Sequence, residues 1–451
     1  MSQPAAFTAK PKQQLTLFDA ICIIMGIVIG AGIYETTPLI AKSVSTPVWL
    51  IAIWLLGGLL SMIGALCYAE LVTHYPKEGG DYVFLNKAYS RRMGFLFVWA
   101  GFWLVRPANI GAIAFIFAHY AQQIIPLQIA SYEFIIYAIA AVILLTVINI
   151  IGVQSGKWTQ NLLTSVKVLG LLMIIAVGLF FTVPAETSGT ENLLYSESSF
   201  YLAMILVLFT YGGWGNISFV AAEVIDPQKN ILRSLIIGTV LIIGIYVIIN
   251  LAFLRTLGMD GMGASSSIAS EMVRISFGEK GALLISLLIC ITCLGNINGM
   301  IFTGSRIYYA MGRDHHHYRM LGIWNARMDA PVWSLTLQAI ITIILIISLG
   351  TNGNAFERLV VFSAPLHWFF FLLVAISLFI LRRKRGPTHS GFKVPWYPWL
   401  PIIFCLSTLF MLFASITYAW QQQHPEIWWI IIIMGLGVLA SIYNPPAKEN
   451  E

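Results

Sequence analysis

Long stretches without a charged residue constrain this chain more than any other feature of its sequence. The window from Leu235 to Leu254 contains no Asp, Glu, Lys or Arg. About 20 apolar residues in a helix cross a hydrocarbon core about 30 Å thick. Over the whole chain, 58% of the residues are hydrophobic and 10% are charged, whereas about 25% of the residues of a soluble domain are charged. The chain is therefore predicted to lie mostly within a bilayer.

Division of the chain at its Gly, Pro and charged interruptions predicts about twelve membrane-spanning helices. An even number of spans places both termini on one side, and Lys and Arg concentrate on that side, as in Arg382–Arg385. The positive-inside rule then predicts a multi-pass protein of the plasma (inner) membrane with both termini in the cytoplasm. The predicted span centres are Ile29, Leu60, Ala112, Ala141, Leu172, Gly212, Ile243, Leu294, Ile341, Leu372, Leu409 and Ile433.

Glycine interrupts two predicted spans at their middles. The first span reads MGIVIGAGIY over Met25–Tyr34, and the sixth reads FTYGGWGNISF over Phe209–Phe219. Unwound backbone at mid-membrane is tolerated where it lines a cavity or is buried in protein. Because the two interruptions lie five spans apart, they indicate five-plus-five inverted repeats with a solute site at the two breaks. The alternative is that these glycines only allow close packing of helices.

The cysteines and histidines of the chain do not indicate a metal, redox or catalytic site. Cys290 and Cys293 form a CxxC pair within an apolar helix that offers no other ligands, so we predict no cofactor. His315–His317 lie in a charged loop and are expected to be solvated. All the cysteines fall in apolar windows, where a thiol behaves as a small buried hydrophobe, so no disulfide is expected: Cys22, Cys67, Cys290, Cys293 and Cys405.

Several segments, in order and spacing, resemble the L-type amino acid transporters within the amino acid–polyamine–organocation superfamily. They include GAGIY in the first span, RPANIGAIAF from Arg106, and DPQKN after the sixth span. Three more are LCYAEL (Leu66–Leu71), PKEGGDYVFLNKAYS (Pro76–Ser90) and CLGNINGMIFTGSR (Cys293–Arg306). The resemblance implies an all-α membrane protein with the leucine-transporter fold, whose first and sixth helices are broken. It also implies that Pro76–Ser90 forms a cytoplasmic re-entrant helix.

The resemblance divides the chain into four parts. Residues 1–16 would form a cytoplasmic tail, and residues 17–385 a transport core of ten helices in two inverted repeats. Residues 386–443 would add two peripheral transmembrane helices, and residues 444–451 a second cytoplasmic tail.

The two breaks offer backbone groups for both charges of an amino acid. Burying a carboxylate or an ammonium group without partners costs several kcal/mol. Amides at the start of the outer half of the first span should hold the carboxylate, helped by the positive helix end, and carbonyls at both breaks should accept from the ammonium group. The predicted donors are Gly30, Ala31 and Gly32, and the predicted acceptors are Val28, Phe209, Thr210 and Gly212. The family often has serine where this chain has Ala31, so one hydroxyl contact is missing here.

Resemblance also assigns Phe209 as the aromatic gate that covers the solute from outside, with a packing role as the alternative. Selectivity should come from polar or aromatic residues of the third, sixth and tenth spans: Asn109, Asn216, Ser218, His367 and Trp368. The tenth span, SAPLHWFF, has Pro365 and His367 where family members more often have Phe and Asn, so substrate preference does not transfer. His367 in the pocket and His367 as a packing residue both stay open.

Lys167 lies deep in the apolar stretch LLTSVKVLGLLMII of the fifth span. It matches the lysine that sodium-independent relatives place between the first, fifth and eighth spans, where sodium-coupled transporters bind sodium. The alternative is snorkelling to the cytoplasmic face, but ten residues from Lys157 correspond to about 15 Å of helix. We therefore predict an internal, coupling role for Lys167.

Three charged residues near the breaks have open or local roles. Arg106 shapes the pocket or a helix contact, and Glu35 gates, attracts cationic solutes or faces the outer vestibule. Glu223, at the end of the sixth span, is expected in the cytoplasmic gate or in a surface ion pair. Its candidate partners are Lys77, Arg91 and Lys229.

Taken with the resemblance, the sequence predicts a sodium-independent secondary transporter of amino acids, neutral L-amino acids in the first place, which works by alternating access as an exchanger. A proton-coupled symporter of amino acids or amines and an amino-acid-sensing receptor are the alternatives. No channel filter or enzyme motif is present, so we predict no enzymatic activity. Eukaryotic family members join a glycoprotein through a cysteine in the loop after the third span. That loop here, Gln122–Glu133, has none, so a stand-alone prokaryote-type transporter without a disulfide-linked heavy subunit or nucleic-acid partner is expected.

Overall fold

The computed structural model of the chain describes residues 11–128, 132–181, 197–265, 267–350, 355–385, 391–421 and 426–443. These ranges are helical, and their only β-type pairings are isolated bridges. Most of the predicted N-terminal tail (residues 1–10) and the whole predicted C-terminal tail (residues 444–451) lie outside the described residues.

Fifteen α-helices follow one another along the described ranges of the chain. In the first half they are α1 (Leu17–Val28), α2 (Gly32–Ser43), α3 (Pro47–His74), α4 (Asp81–Ala88), α5 (Arg91–Ala100), α6 (Arg106–Ile124), α7 (Glu133–Ile151) and α8 (Val153–Ala176). In the second half they are α9 (Glu197–Thr210), α10 (Pro227–Ala264), α11 (Ile268–Asp314), α12 (Val332–Leu349), α13 (Ala355–Arg385), α14 (Trp399–Gln421) and α15 (Glu426–Tyr443). π-helical turns at Gly101–Val105 and Val177–Phe181 follow α5 and α8, and 3₁₀ helices at Trp214–Glu223 and His316–Tyr318 follow α9 and α11.

Ten helical segments in the described ranges are long and apolar enough to cross a membrane, and α1 with α2 makes an eleventh if that bent pair is one span. The predicted all-α, multi-pass membrane class is therefore confirmed. The predicted twelfth span, centred near Ile433, corresponds to the shorter apolar helix Trp428–Tyr443. The full count of twelve and the inverted repeat stay predictions.

The start of the first span and the end of the sixth meet at one end of the bundle. Thr16 caps α1, because its hydroxyl accepts from Asp19 N and the Asp19 carboxylate accepts from Thr16 N at 2.7 Å. Just before this cap, the backbone amide of Leu15 donates to Glu223 O at 2.8 Å, and Ile225 N donates to Leu15 O at 2.9 Å. The inner half of the first span is thereby tied to the end of the sixth.

Helix α4 lies beneath the sixth span instead of crossing the bundle. With eight residues it rises only about 12 Å, too little for a membrane of about 30 Å. Its entry is fixed by Gly79 N, which donates to Phe219 O at 3.2 Å, and its body by the Tyr82 hydroxyl, which donates to the Asp314 carboxylate at 2.6 Å. Helix α4 therefore contacts both the 3₁₀ helix Trp214–Glu223 and the end of α11.

Two sequence-based expectations about charged side chains are wrong. Glu223 is not at the surface and pairs with none of the three cations expected, because it is fully buried and forms an ion pair with Arg306 at 2.7 Å. His315 is buried and not solvated, since its ring packs edge-on against Phe95 with centroids 5.1 Å apart. This burial lowers the pKa of His315. His316 and His317 are exposed, as predicted.

Candidate functional site

The first break separates two half-helices that meet at 47°. The first hydrogen bonds of the outer half, α2, run from Tyr34 N and Glu35 N to Ala31 O. The amides of Gly30 and Gly32 come before that turn, and the first amides of a helix have no acceptor within it. A Cβ at Gly30 would lie 2.3 Å from the Asn296 side chain, so any larger residue at this point of the break would have to displace Asn296.

The second break contacts the first directly. After α9 ends at Thr210, Gly213 adopts a left-handed conformation, with φ +116°, that L-residues rarely adopt. A Cβ at Gly213 would lie 2.8 Å from the side chain of Ile27, and the hydroxyls of Thr36 and Thr210 are 3.0 Å apart. The unwound turns of the two spans therefore face each other across a short gap.

A cavity of about 220 Å³ lies beside the two breaks. Most of the predicted site residues line it, while three do not: Ala31, Lys167 and Ser218 are fully buried outside the lining. The side chain of Ala31 packs in the core, so the predicted role of its backbone amide as a donor stays a prediction. The predicted residues that line the cavity are Val28, Gly30, Gly32, Phe209, Thr210, Gly212, Asn109, Asn216, His367 and Trp368.

The predicted carbonyl acceptors are already partly engaged. The Tyr246 hydroxyl lies 2.9 Å from Val28 O and 3.4 Å from Thr210 O, and Gly212 N donates to Phe209 O at 3.0 Å. A carbonyl oxygen has two lone pairs, so each can still accept from an ammonium group. Sequence reasoning missed Tyr246, because a tyrosine in the apolar helix α10 carries no signal that distinguishes it from packing residues.

Lys167 does not snorkel to the surface. Its ammonium group donates to Gly26 O at 2.9 Å, Ile29 O at 2.7 Å and Thr292 O at 3.1 Å. These three bonds use all three donors of a lysine. They join α8 to α11 and to the end of α1 at the first break, between the three spans that the resemblance names.

Asn296 of α11 completes the contacts around the first break. With its nitrogen turned toward the break, its carboxamide donates to Ile27 O at 3.2 Å and to Gly26 O. Carbonyls that the break leaves without a helical amide thus receive a donor from a neighbouring helix. Asn296 lies in the motif CLGNINGMIF, which marked the eighth span but gave no residue-level role.

Polar and charged side chains also line the cavity. Ser363 donates to the Asn109 carboxamide at 3.1 Å, and His367 stacks on Phe371 with centroids 5.5 Å apart. The Arg106 guanidinium lies 4.6 Å from the centroid of Phe219. Of the other predicted candidates, Ser218 is fully buried outside the lining, and Glu35 accepts from the Tyr120 hydroxyl at 3.2 Å. Asp81, whose carboxylate accepts from the Tyr68 hydroxyl at 3.2 Å, also lines the cavity and was missed.

The chain is similar along most of its length to known transport proteins. It is 27% identical over 433 residues to the b(0,+)-type amino acid transporter 1 of Mus musculus, covering 92% of this chain and 86% of that protein. It is 28% identical over 416 residues to the cystine/glutamate transporter of Homo sapiens, covering 90% and 80%. It is 26% identical over 450 residues to the large neutral amino acids transporter small subunit 2 of Homo sapiens, covering 96% and 79%.

A family model described as amino acid permease matches residues 15–439. This range begins at the cap of the first span and reaches into α15, so it includes both breaks and all the helices around the cavity. The chain therefore belongs to the amino acid permease family.

Proposed function

We propose that the chain is a sodium-independent secondary transporter of neutral L-amino acids that works by alternating access as an exchanger. The observation that carries this proposal is that two mid-membrane breaks meet at one cavity. The first break offers the amides at the start of α2, and both breaks offer carbonyls. The names of the three relatives support the class of solute.

A bound amino acid would use the backbone of both breaks. Its carboxylate would accept from Gly30, Gly32 and the amide of Ala31 at the positive end of α2. Its ammonium group would donate to the free lone pairs of Val28, Thr210 and Gly212. The solute side chain would then extend toward Asn109, Asn216, His367 and Trp368, which line the same cavity and are proposed as the selectivity pocket.

Uptake into proteoliposomes tests this function. Vesicles loaded with unlabelled L-leucine should take up labelled L-leucine much faster than empty vesicles, because an exchanger needs a solute for its return step. If loaded and empty vesicles take up L-leucine equally and the uptake depends on a proton gradient, the proton-coupled alternative is favoured instead. Binding without any uptake would favour an amino-acid-sensing receptor.

Replacing sodium by choline should leave the initial rate of exchange unchanged. The ammonium group of Lys167 already satisfies the carbonyls that a cation between the first and eighth spans would use. Initial rates in matched sodium and choline buffers measure this, with potassium as a second control. A severalfold loss of uptake in choline would show that sodium is required.

Phe209 lines the cavity beside the second break and is proposed as its gate. We expect Phe209→Ala to lower the uptake of large neutral amino acids by about tenfold, equivalent to ~1.4 kcal/mol, because the substitution removes the ring and leaves the backbone groups. Protein abundance should hardly change. Phe180→Ala, which removes a ring that is 79% exposed, is the matched control. Normal uptake kinetics in Phe209→Ala would contradict the gate assignment.

The remaining features are proposed with this function. Residues 17–385 would form the transport core and residues 386–443 the two peripheral helices, in a plasma membrane with both termini in the cytoplasm. The five cysteines are free thiols, and the loop Gln122–Glu133 contains none. We therefore propose that this transporter functions without a disulfide-linked heavy subunit.

A further inference from the structure

The cavity beside the two breaks reaches beyond the predicted ten-helix core. Part of its lining comes from α14, which belongs to the predicted peripheral pair, and from the facing side of α3. We call this part the α14 extension, and it is lined by Leu60, Ser61, Phe404, Ser407, Thr408 and Met411.

Aromatic rings connect the second break to the α14 extension. Trp214 follows Gly213 directly, and its ring centroid lies 5.1 Å from Tyr68 and 6.2 Å from Phe404. Both Trp214 and Phe404 pack on the bare backbone of Gly64, where a Cβ would lie 2.6 Å and 2.9 Å from the two rings. A change in the size of Phe404 would therefore change the space directly behind the second break.

The chemistry of the α14 extension is apolar although it contains hydroxyl groups. The Ser407 hydroxyl donates to Phe404 O at 2.8 Å, and the Thr408 hydroxyl donates to Phe404 O at 3.1 Å and to Cys405 O at 2.9 Å. Their protons are thus used within α14, and their methylene or methyl groups, with Leu60 and Met411, form the wall. Ser61 of α3 adds one hydroxyl to this wall, but none of the six residues carries a charge that could pair with a buried ion, so the surface suits an aromatic or aliphatic group.

We propose that the α14 extension receives the end of a large apolar solute side chain and that Phe404 sets the upper size limit. The inference rests on the proposed function, because the solute is placed at the breaks by its backbone charges. It assigns specificity to a helix outside the predicted core. A small side chain such as that of alanine would end before the α14 extension. Phe404 should therefore discriminate solutes by the size of their side chains and leave the binding of their carboxylate and ammonium groups unchanged.

Competition against labelled L-leucine uptake tests the size limit. In Phe404→Ala, the L-tryptophan concentration that halves uptake should fall by about tenfold, the lower end of the range that one methylene group provides in an apolar pocket. The corresponding L-alanine concentration should stay unchanged. In Phe404→Trp, the added bulk should raise the L-tryptophan concentration that halves uptake. Phe404→Leu, which keeps apolar bulk, should fall between Phe404→Ala and the wild type.

Phe413→Ala is the matched control, because Phe413 lies on the same helix, is 68% exposed and does not line the cavity. It should shift neither competitor. The proposal is overturned if the half-inhibiting concentrations of L-tryptophan and L-alanine change by the same factor in the Phe404 variants. Such a common change would indicate a loss of packing, or a lipid chain and not the solute in the α14 extension. Absence of uptake of every amino acid by the wild type would instead refute the proposed function itself.

Discussion

Lys167→Ala is expected to reduce exchange by at least about tenfold, ~1.4 kcal/mol, while equilibrium binding of the solute falls much less. The substitution removes the buried ammonium donor from Ile29 O and Thr292 O and leaves Gly26 O with only the Asn296 carboxamide. An unsatisfied buried acceptor costs about 1–3 kcal/mol. Because these acceptors lie on α11 and at the end of α1 beside the first break, the loss should disturb the balance between outward- and inward-facing states.

Binding is less affected because Lys167 does not line the cavity. A ligand's apparent affinity falls only by the fraction of molecules in the competent state. Binding and uptake should be measured on the same purified protein, in Lys167→Ala and in Lys167→Met, which keeps most of the side-chain volume without the ammonium group. Lys229→Ala, at an exposed position at the start of α10, is the control.

The two variants separate three roles for Lys167. If binding is lost together with uptake, the side chain is a direct ligand or a folding requirement. If uptake is unchanged, its hydrogen bonds have no part in the cycle. Either result would contradict the proposed coupling role, whereas a loss of uptake in both variants with binding retained would support it.

Arg306→Met is expected to destabilise the protein by about 3–5 kcal/mol, the cost of leaving one partner of a buried ion pair uncompensated. Arg306 and Glu223 are 1% and 0% exposed and form two bonds, Nε to Oε1 at 2.7 Å and Nη2 to Oε2 at 3.1 Å. The methionine side chain keeps most of the contact with Phe302, over which the guanidinium lies at 4.1 Å. The stability loss would therefore come mainly from the buried Glu223 carboxylate, which is left without its cation.

A double variant distinguishes charge from packing. In Arg306→Met with Glu223→Leu, no buried charge remains at this pair, and exchanging a buried ion pair for apolar residues is often neutral. Thermal unfolding in detergent should show a large loss in the single variant and recovery of most of it in the double variant. Arg233→Met, at an exposed position of α10, should have little effect. Equal losses in the single and double variants would assign the effect to packing.

The ion pair also joins three parts of the chain at one end of the bundle. Glu223 ends the 3₁₀ helix, and its carbonyl accepts from Gln14 N and Leu15 N, both at 2.8 Å. Arg306 holds its side chain from α11. The end of the sixth span, the start of the first and α11 are thus joined at one residue, so an opening at this end must separate or carry along these contacts.

Local patterns determined which segments cross the membrane and where two of them break. Apolar runs, their charged ends and the glycines of Met25–Tyr34 and Phe209–Phe219 are properties of neighbouring residues, so they can be read from the sequence. The internal position of Lys167 can be read from the sequence as well, because exposing a charge to lipid deep in an apolar stretch costs much free energy.

Only the tertiary structure decided which side chains serve those breaks. Tyr246 is 218 residues from Val28, Arg306 is 83 residues from Glu223, and Phe404 reaches the cavity from α14. Each of these residues is ordinary for its own helix, because a tyrosine, an arginine near a span end and a phenylalanine fit many positions. Their roles arise from how the helices pack, and contacts between residues far apart in the sequence leave no periodic trace in either segment.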